Sequence, residues 1–247
     1  MRSLFAMPAP EGTPRREGTV AEAPRSALDQ ADRQSALEEP SVLGGAATRL
    51  VERLLSIGID GAGPVRPARE AAQAALRKHG TAERGISAII TSHVLVGGAG
   101  GFLTGLGGFV TVPVAVPVNV TEFYLVATRM VASIASARGY DVDEPNIRLA
   151  VLLTLVGADS DDLLRKAGVA AAGPVSRMVA QRLPGPALMM LNKGVGFRLI
   201  AQVGRSGPAR FGRAIPLIGG GVSAGLDVYL LAHIARHAKA EFPPRAG

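Results

Sequence analysis

"VGGAGGFLTGLGGFVTVPVAVPVNV", residues 96–120, decides how the rest of the chain is read. Seven of the twelve positions from Gly97 to Gly108 are glycine, and nothing in the stretch is charged. It could be a phosphate-cradling loop, a flexible linker or a close-packing helix. A P-loop needs a Lys and a Ser or Thr after its glycines, and no Lys or Arg lies between Arg84 and Arg129. A linker has no reason to sort its residues by face. At about 100° per residue, all seven glycines and Thr104 fall on one half of a helix over 97–110. Ala99, Phe102, Leu103, Leu106, Phe109 and Val110 fill the other half. Gly97, Gly101 and Gly105, with Gly108 beside them, form a small-xxx-small pattern that lets two helix backbones approach closely.

Such a helix is costly. Seven glycines forfeit about 7 kcal/mol relative to alanine, so the glycine face needs a partner helix, or the backbone needs lipid around it. The run from Gly85 to Thr121 carries no charge. Its part from Gly85 to Val112 would be roughly 40 Å long as a helix, against a bilayer hydrocarbon core of about 30 Å. Two environments for Phe102, Leu103, Leu106 and Phe109 stay open: a membrane or partner face, or the interior of a soluble bundle.

Outward from this stretch the text is helical. Residues 41–57 place Leu50, Leu54 and Leu55 opposite Arg49, Glu52 and Arg53. A turn follows over 58–64. A second helix runs from Pro67 to His79 and stops at Gly80, and Thr81 caps a third from Ala82. Pro113 and Pro117 remove backbone donors, which predicts an extended connector. Asn119 and Glu122 then form a capping box for a helix ending at Gly139. Asp143 caps the next helix, with Pro145 in its first turn and Gly157 as its stop. Further helices are expected over 161–167, 173–183 and 186–203, the last weakened by Gly194 and Gly196. A basic loop at 205–213 precedes a final helix over 221–242. No strand pair with hairpin chemistry competes. The expected fold is all-α: a multi-helix bundle with glycine-rich, close-packed apolar helices. Its divisions are a disordered Pro-rich extension over 1–40, a helical domain over 41–243 and a tail over 244–247. The apolar run at the start, broken by Pro8 and Pro10, does not make a secretory signal.

The final helix repeats the theme. Pro216-Leu-Ile-Gly-Gly-Gly221 leads into Gly221-xxx-Gly225, a second packing pair. Asp227-Val-Tyr-Leu-Leu-Ala232 echoes Glu122-Phe-Tyr-Leu-Val-Ala127.

Composition narrows the function. Lys and Arg number 27 against 20 for Asp and Glu, a net charge of +7. Between Asp162 and Asp227 there is no acid, but there are Arg165, Lys166, Arg177, Arg182, Lys193, Arg198, Arg205, Arg210 and Arg213. Such a basic surface suits anionic headgroups or is simply solvated. With no Trp and ten Phe and Tyr in all, the chain lacks the stacking platforms of a single-strand reader, and nucleic acid is not an expected partner. The absence of Cys rules out disulfides and thiolate chemistry.

Enzyme motifs are weak. Gly221-Val-Ser223-Ala-Gly225 spells a nucleophile elbow, with Asp227 and His233 following in order. The elbow needs a preceding strand, whereas these three residues share one helix. A serine hydrolase is the remote alternative. His233 and His237 stand i, i+4, but HIARH lacks the Glu of a zinc-protease helix and no third ligand stands out. Asp159, Asp161 and Asp162 sit where acids suit a helix start. His93, alone among apolar residues, reads as a hydrogen-bonded core or interface side chain. No catalytic residue, metal or cofactor is expected.

The segments at 63–80, 100–120, 127–142, 152–168, 191–204 and 214–242 resemble the bacterial EcsC family, above all in GGFLTGLGGFVTVPVAVPVNV followed by RMVASIASARGYD. The resemblance covers roughly 45–243. It implies a helical fold with no agreed catalytic residues. The family's namesake is encoded beside an ABC-type transporter, so the resemblance also implies a link to membrane transport or export. The combined expectation is a non-enzymatic helical protein at the cytoplasmic membrane, with an anionic membrane surface or a transporter as partner. A soluble bundle holding an apolar ligand or a partner protein is the alternative.

Overall fold

The computed structural model describes residues 42–106, 112–170, 173–180, 183–205 and 216–245. For 42–43, 100–106, 112–120, 158, 202–205 and 216–223 only the backbone element is described. The extension expected over 1–40 lies outside these residues, as do Gly108, Phe109, Arg182, Arg210 and Arg213.

The chain forms α1 (Val42–Arg53, continued by a π-helical turn, Leu54–Ile59), α2 (Ala68–His79), α3 (Ala82–Leu106) and α4 (Val112–Ala137). These are followed by α5 (Pro145–Val156), α6 (Ser160–Lys166), α7 (Pro174–Ala180), α8 (Gly185–Arg205) and α9 (Pro216–Glu241). No strand occurs among the described residues; one isolated bridge joins Ala62 and Val65. The fold is all-α.

Helix α5 organises the core. From Leu149 to Val156 every residue is apolar or Thr154, and every one is buried, as expected of a helix that is apolar all round. Thr154 donates its hydroxyl to Ala150 O (2.8 Å), so no polar group is stranded there. Helix α5 contacts α4 and α9, and α3 packs on both of these. It also contacts α8, against which α1 packs, and α7.

Several ends follow from local chemistry. Gly80 closes α2 in the left-handed region (φ 75°). Thr81 Oγ1 accepts from Arg84 N (3.4 Å) at the start of α3, as expected of a capping Thr. Gly139 (φ 86°) ends α4, with Tyr140 N donating back to Ala135 O (3.1 Å). That is a Schellman closure. Tyr140 then packs edge-on against Phe242 (5.2 Å).

Other expectations are corrected. Helix α4 starts at Val112, so Pro113 and Pro117 are helical rather than an extended connector, and Asn119 is seven residues inside the helix rather than its cap. The first turn of a helix has no partner for its N–H groups, so Pro113 costs nothing there. Pro117 removes one ladder bond, near an end where the loss is smallest. Asp143 does not cap α5: Glu144 holds that position without a side-chain bond, and Asp143 instead pairs with Arg69 (2.9 Å). Helix α9 starts at Pro216, five residues early, which puts Gly219, Gly220 and Gly221 inside it. Helix α7 covers only part of 173–183, and Val175–Ala180 wind left-handed, with φ between 28° and 51°. Val175 and Val179 anchor it in the core, and Val175 N donates to the Glu241 carboxylate.

Gly194 and Gly196, expected to weaken α8, have a packing role. A Cβ on Gly196 would lie 2.5 Å from Ala47 O and 2.9 Å from Ala47 C on α1. On the same seam, Gly44 lies against Lys193. Gly194 faces Leu163 Cδ2 at 3.0 Å. The α1–α8 contact is therefore backbone on backbone.

Candidate functional site

Helices α3 and α9 make the most extensive helix pair in the described structure. They run antiparallel: Glu83 meets Lys239 (2.9 Å), Gly97 meets Leu231, and Gly98 meets Val228. Leu231 Cδ1 occupies the place that a Cβ on Gly97 would take, and Val126 of α4 lies 3.9 Å from that point. Gly97 is thus where three helices converge. A Cβ on Gly98 would stand 2.9 Å from Val228 Cγ2. Of the other glycines expected to pack, Gly101, Gly105 and Gly221 are helical, but their surroundings lie outside the described residues. Gly225 is exposed, with no described atom within 4 Å of a Cβ built there. Gly98 joins Gly97 in the seam.

The outer sides of this pair are apolar. Leu95 is 68% exposed and Val96 60% on α3. At the same level of α9, Tyr229 is 62% exposed, and Leu226, Val228 and Leu230 are also open. Leu226, Tyr229 and Leu230 stand i, i+3, i+4 and share one face. Large apolar side chains left in water on the outer sides of a helix pair mark an interaction surface. The side chains of Phe102, Leu103 and Leu106, one to two turns further along α3, lie outside the described residues.

Among these side chains on α9 sits Asp227. Burial pushes its carboxyl up to about 6, and no described residue pairs with it. On the α3 side, His93 Nδ1 bonds Ile89 O at 2.7 Å. Burial first, and the Arg129 charge beside it, hold His93 below its usual value, so the ring is neutral at pH 7. The echo between α4 and α9 is one of letters only. Tyr124 is buried, its phenol pushed up to about 12 by burial, whereas its counterpart Tyr229 faces solvent.

Leu95 also lines an open groove of about 670 Å³ along α3. Lys78 and His79, from the last turn of α2, and Arg84 line one end; Ala88, Thr91, Ser92 and Leu95 continue to the other. A Cβ on Gly85 would lie 3.4 Å from Leu76 N and 3.3 Å from Leu76 Cδ2. That close approach draws the end of α2 against α3. Glu83, at the basic end, is committed to Lys239 and to the buried Arg138 (2.5 Å). The Lys239 bond and the Arg138 charge hold its carboxyl below the usual range.

The basic residues scatter. Arg177 and Lys193 are exposed, with Lys193 Nζ 5.9 Å over the Phe197 ring. Arg198 turns inward, bonding Asp162 (2.6 Å) and Asp159 (3.2 Å). Arg205 ends α8, its side chain outside the described residues. The elbow motif lies within α9, and no strand occurs among the described residues. Asp227 and His233, six residues apart, lie on well-separated sides of that helix. His237 lines a small niche of about 20 Å³ with Ser176, Asp161 and Glu241, and no group of three metal-ligating side chains forms among the described residues.

Residues 65–246, well over half of the chain, match the model of the EcsC protein family. The chain belongs to the EcsC protein family. No curated protein and no solved structure matches it. In this EcsC-family chain the matched region contains the α3–α9 pair, the apolar band and the whole groove. No helix among the described residues is long and apolar enough to cross a membrane.

Sequence reading reached the Gly97 contact and missed the band, because exposure depends on which helices cover α9. The α2–α3 junction was readable in part: Arg77-Lys-His-Gly-Thr-Ala-Glu-Arg84 places basic groups on both sides of a two-residue turn.

Proposed function

We propose that this protein is a non-enzymatic helical module that attaches to the surface of the cytoplasmic membrane through the α3–α9 pair, without crossing the bilayer. The observation that carries this reading is the exposed band of Leu95, Val96, Leu226, Tyr229 and Leu230 on a pair held together by glycine contacts. Close packing at Gly97 and Gly98 makes the pair stiff, and a stiff apolar edge can enter the headgroup layer as a unit. Tyr229 suits that boundary, with an apolar ring and a polar tip. Basic residues facing the membrane would each add about 1 kcal/mol near an anionic surface. In this setting the partner is a membrane transport complex, as the family resemblance implies.

Vesicle co-flotation tests the reading. Each large apolar side chain moved out of water contributes about 1 kcal/mol or more. Replacing Leu226, Tyr229 and Leu230 together by Ser should therefore weaken binding to anionic vesicles by about 100-fold, with circular dichroism and melting followed alongside because Leu226 and Leu230 are only 39% and 37% exposed. A wild-type chain that stays in solution with every vesicle composition refutes membrane attachment. It would leave the reading of a bundle that uses the same band for a soluble partner.

A further inference from the structure

The apolar band accounts for affinity to a bilayer but not for the charge pattern of the groove beside it. We infer that the groove between the end of α2 and the outer face of α3 seats one phospholipid: its anionic phosphate headgroup at Lys78, His79 and Arg84, an acyl chain along α3 towards Leu95. This rests on the membrane reading and adds a lipid class to it.

Three features converge. The first is charge. Lys78, His79 and Arg84 line the same end of the groove, and none has an ion-pair partner among the described residues. The acid among them, Glu83, is neutralised by Lys239 and Arg138. An unbalanced cationic corner remains, fit for a phosphate. The second is the gradient along α3. Ser87 and Thr91 donate their hydroxyls to Glu83 O and Ser87 O (2.9 Å each), and Ser92 donates to Ile89 O (2.9 Å). Their protons are spent within the helix, so the middle of the groove offers carbon and few donors. Arg84 to Leu95 spans about 16 Å of helix, long enough for a chain to run from the cationic corner to the apolar end. The third is exposure: Leu95, which lines the apolar end of the groove, is itself open to solvent. A lipid seated this way has its chain pointing towards that exposed side chain.

The test compares vesicles of phosphatidylcholine alone with vesicles containing phosphatidylglycerol. The proteins are the full chain, the double variant Lys78→Glu/Arg84→Glu, and a charge-matched control, Arg49→Glu/Arg53→Glu, at exposed positions of α1. Wild type should prefer the anionic vesicles by 10-fold or more. The groove variant should lose that preference and keep its weaker binding to phosphatidylcholine, while the control keeps most of both. Equal losses in the two variants would reduce the effect to diffuse surface charge and overturn the groove. Binding without preference for anionic vesicles would overturn the groove and leave the membrane reading standing; no binding at all would remove both. Millimolar inorganic phosphate, against chloride of equal ionic strength, separates the sources. No competition supports a lipid headgroup, whereas full competition makes the corner a free-phosphate site and overturns the lipid.

Discussion

Gly196→Val lowers the melting temperature by roughly 10 °C. A Cβ at this position would stand 2.5 Å from Ala47 O and 2.9 Å from Ala47 C. These are backbone atoms of α1 and cannot rotate away. Helix α1 must move off α8, opening the contact that Gly44 and Ala47 make on that seam. Overpacking of this kind costs about 3 kcal/mol, which for a chain of this size is roughly 6–12 °C. Gly225→Ala is the matched control. Its Cβ would meet no described atom within 4 Å, and replacing an exposed helical glycine gains about 0.5–1 kcal/mol. Differential scanning calorimetry of both variants checks the pair. A Gly196→Val chain that melts within 2 °C of wild type (about 1 kcal/mol or less) contradicts the close α1–α8 seam.

Asp227→Asn acts in the opposite direction. Burial raises the native carboxyl to about 6, against 3.8 ordinarily. Between those values the native state binds more protons than the unfolded chain, so stability falls as pH rises through the window. Above pH 6 the ionised carboxylate is a standing cost. A shift of this size equals about 3 kcal/mol for a sealed group; partial exposure reduces it to about 1–2 kcal/mol. The amide of the variant never ionises, so the variant should be more stable than wild type by that amount at pH 8, with the gap closing by pH 4. His93 works the other way: its value is depressed, so its contribution is present above about 6.5 and is lost as pH falls through its native value. The wild-type profile therefore sums two opposed terms, and the difference between wild type and Asp227→Asn isolates one. Chemical denaturation at pH 4, 6 and 8 measures it. A gap constant across pH would show that Asp227 is not desolvated in the native state.

How far the residues foretold this arrangement depends on what each signal encodes. Gly80, Gly139 and Gly157 were legible as stops, because a left-handed φ is a property of one residue and its neighbours. The close contact at Gly97 was legible because glycines recur there at helical spacing. The start of α4 was not: Pro113 and Pro117 read as breakers, and the reading flips once Val112 begins the helix. Gly196 was misjudged for a different reason. Propensity prices the glycine within its own helix, and its value here lies in Ala47 of another helix. The candidate site divides the same way. Gly97 could be picked out on a wheel, while the side chains of Phe102, Leu103 and Leu106 lie outside the described residues. The exposure of Tyr229 against the burial of Tyr124, in matching sequence contexts, depends on which neighbours cover each helix. Arg198 reads as surface charge until Asp159 and Asp162 fold beside it.

The central claim is that the α3–α9 edge enters a membrane surface. The chain contains no Trp, so Tyr229→Trp gives a single reporter at the exposed centre of the band. On addition of anionic vesicles its emission should shift to the blue and be quenched by lipids carrying bromine near the headgroup end of the acyl chain. It should be quenched less by lipids brominated near the chain terminus. Emission unchanged at saturating lipid, with wild-type melting, would contradict the account.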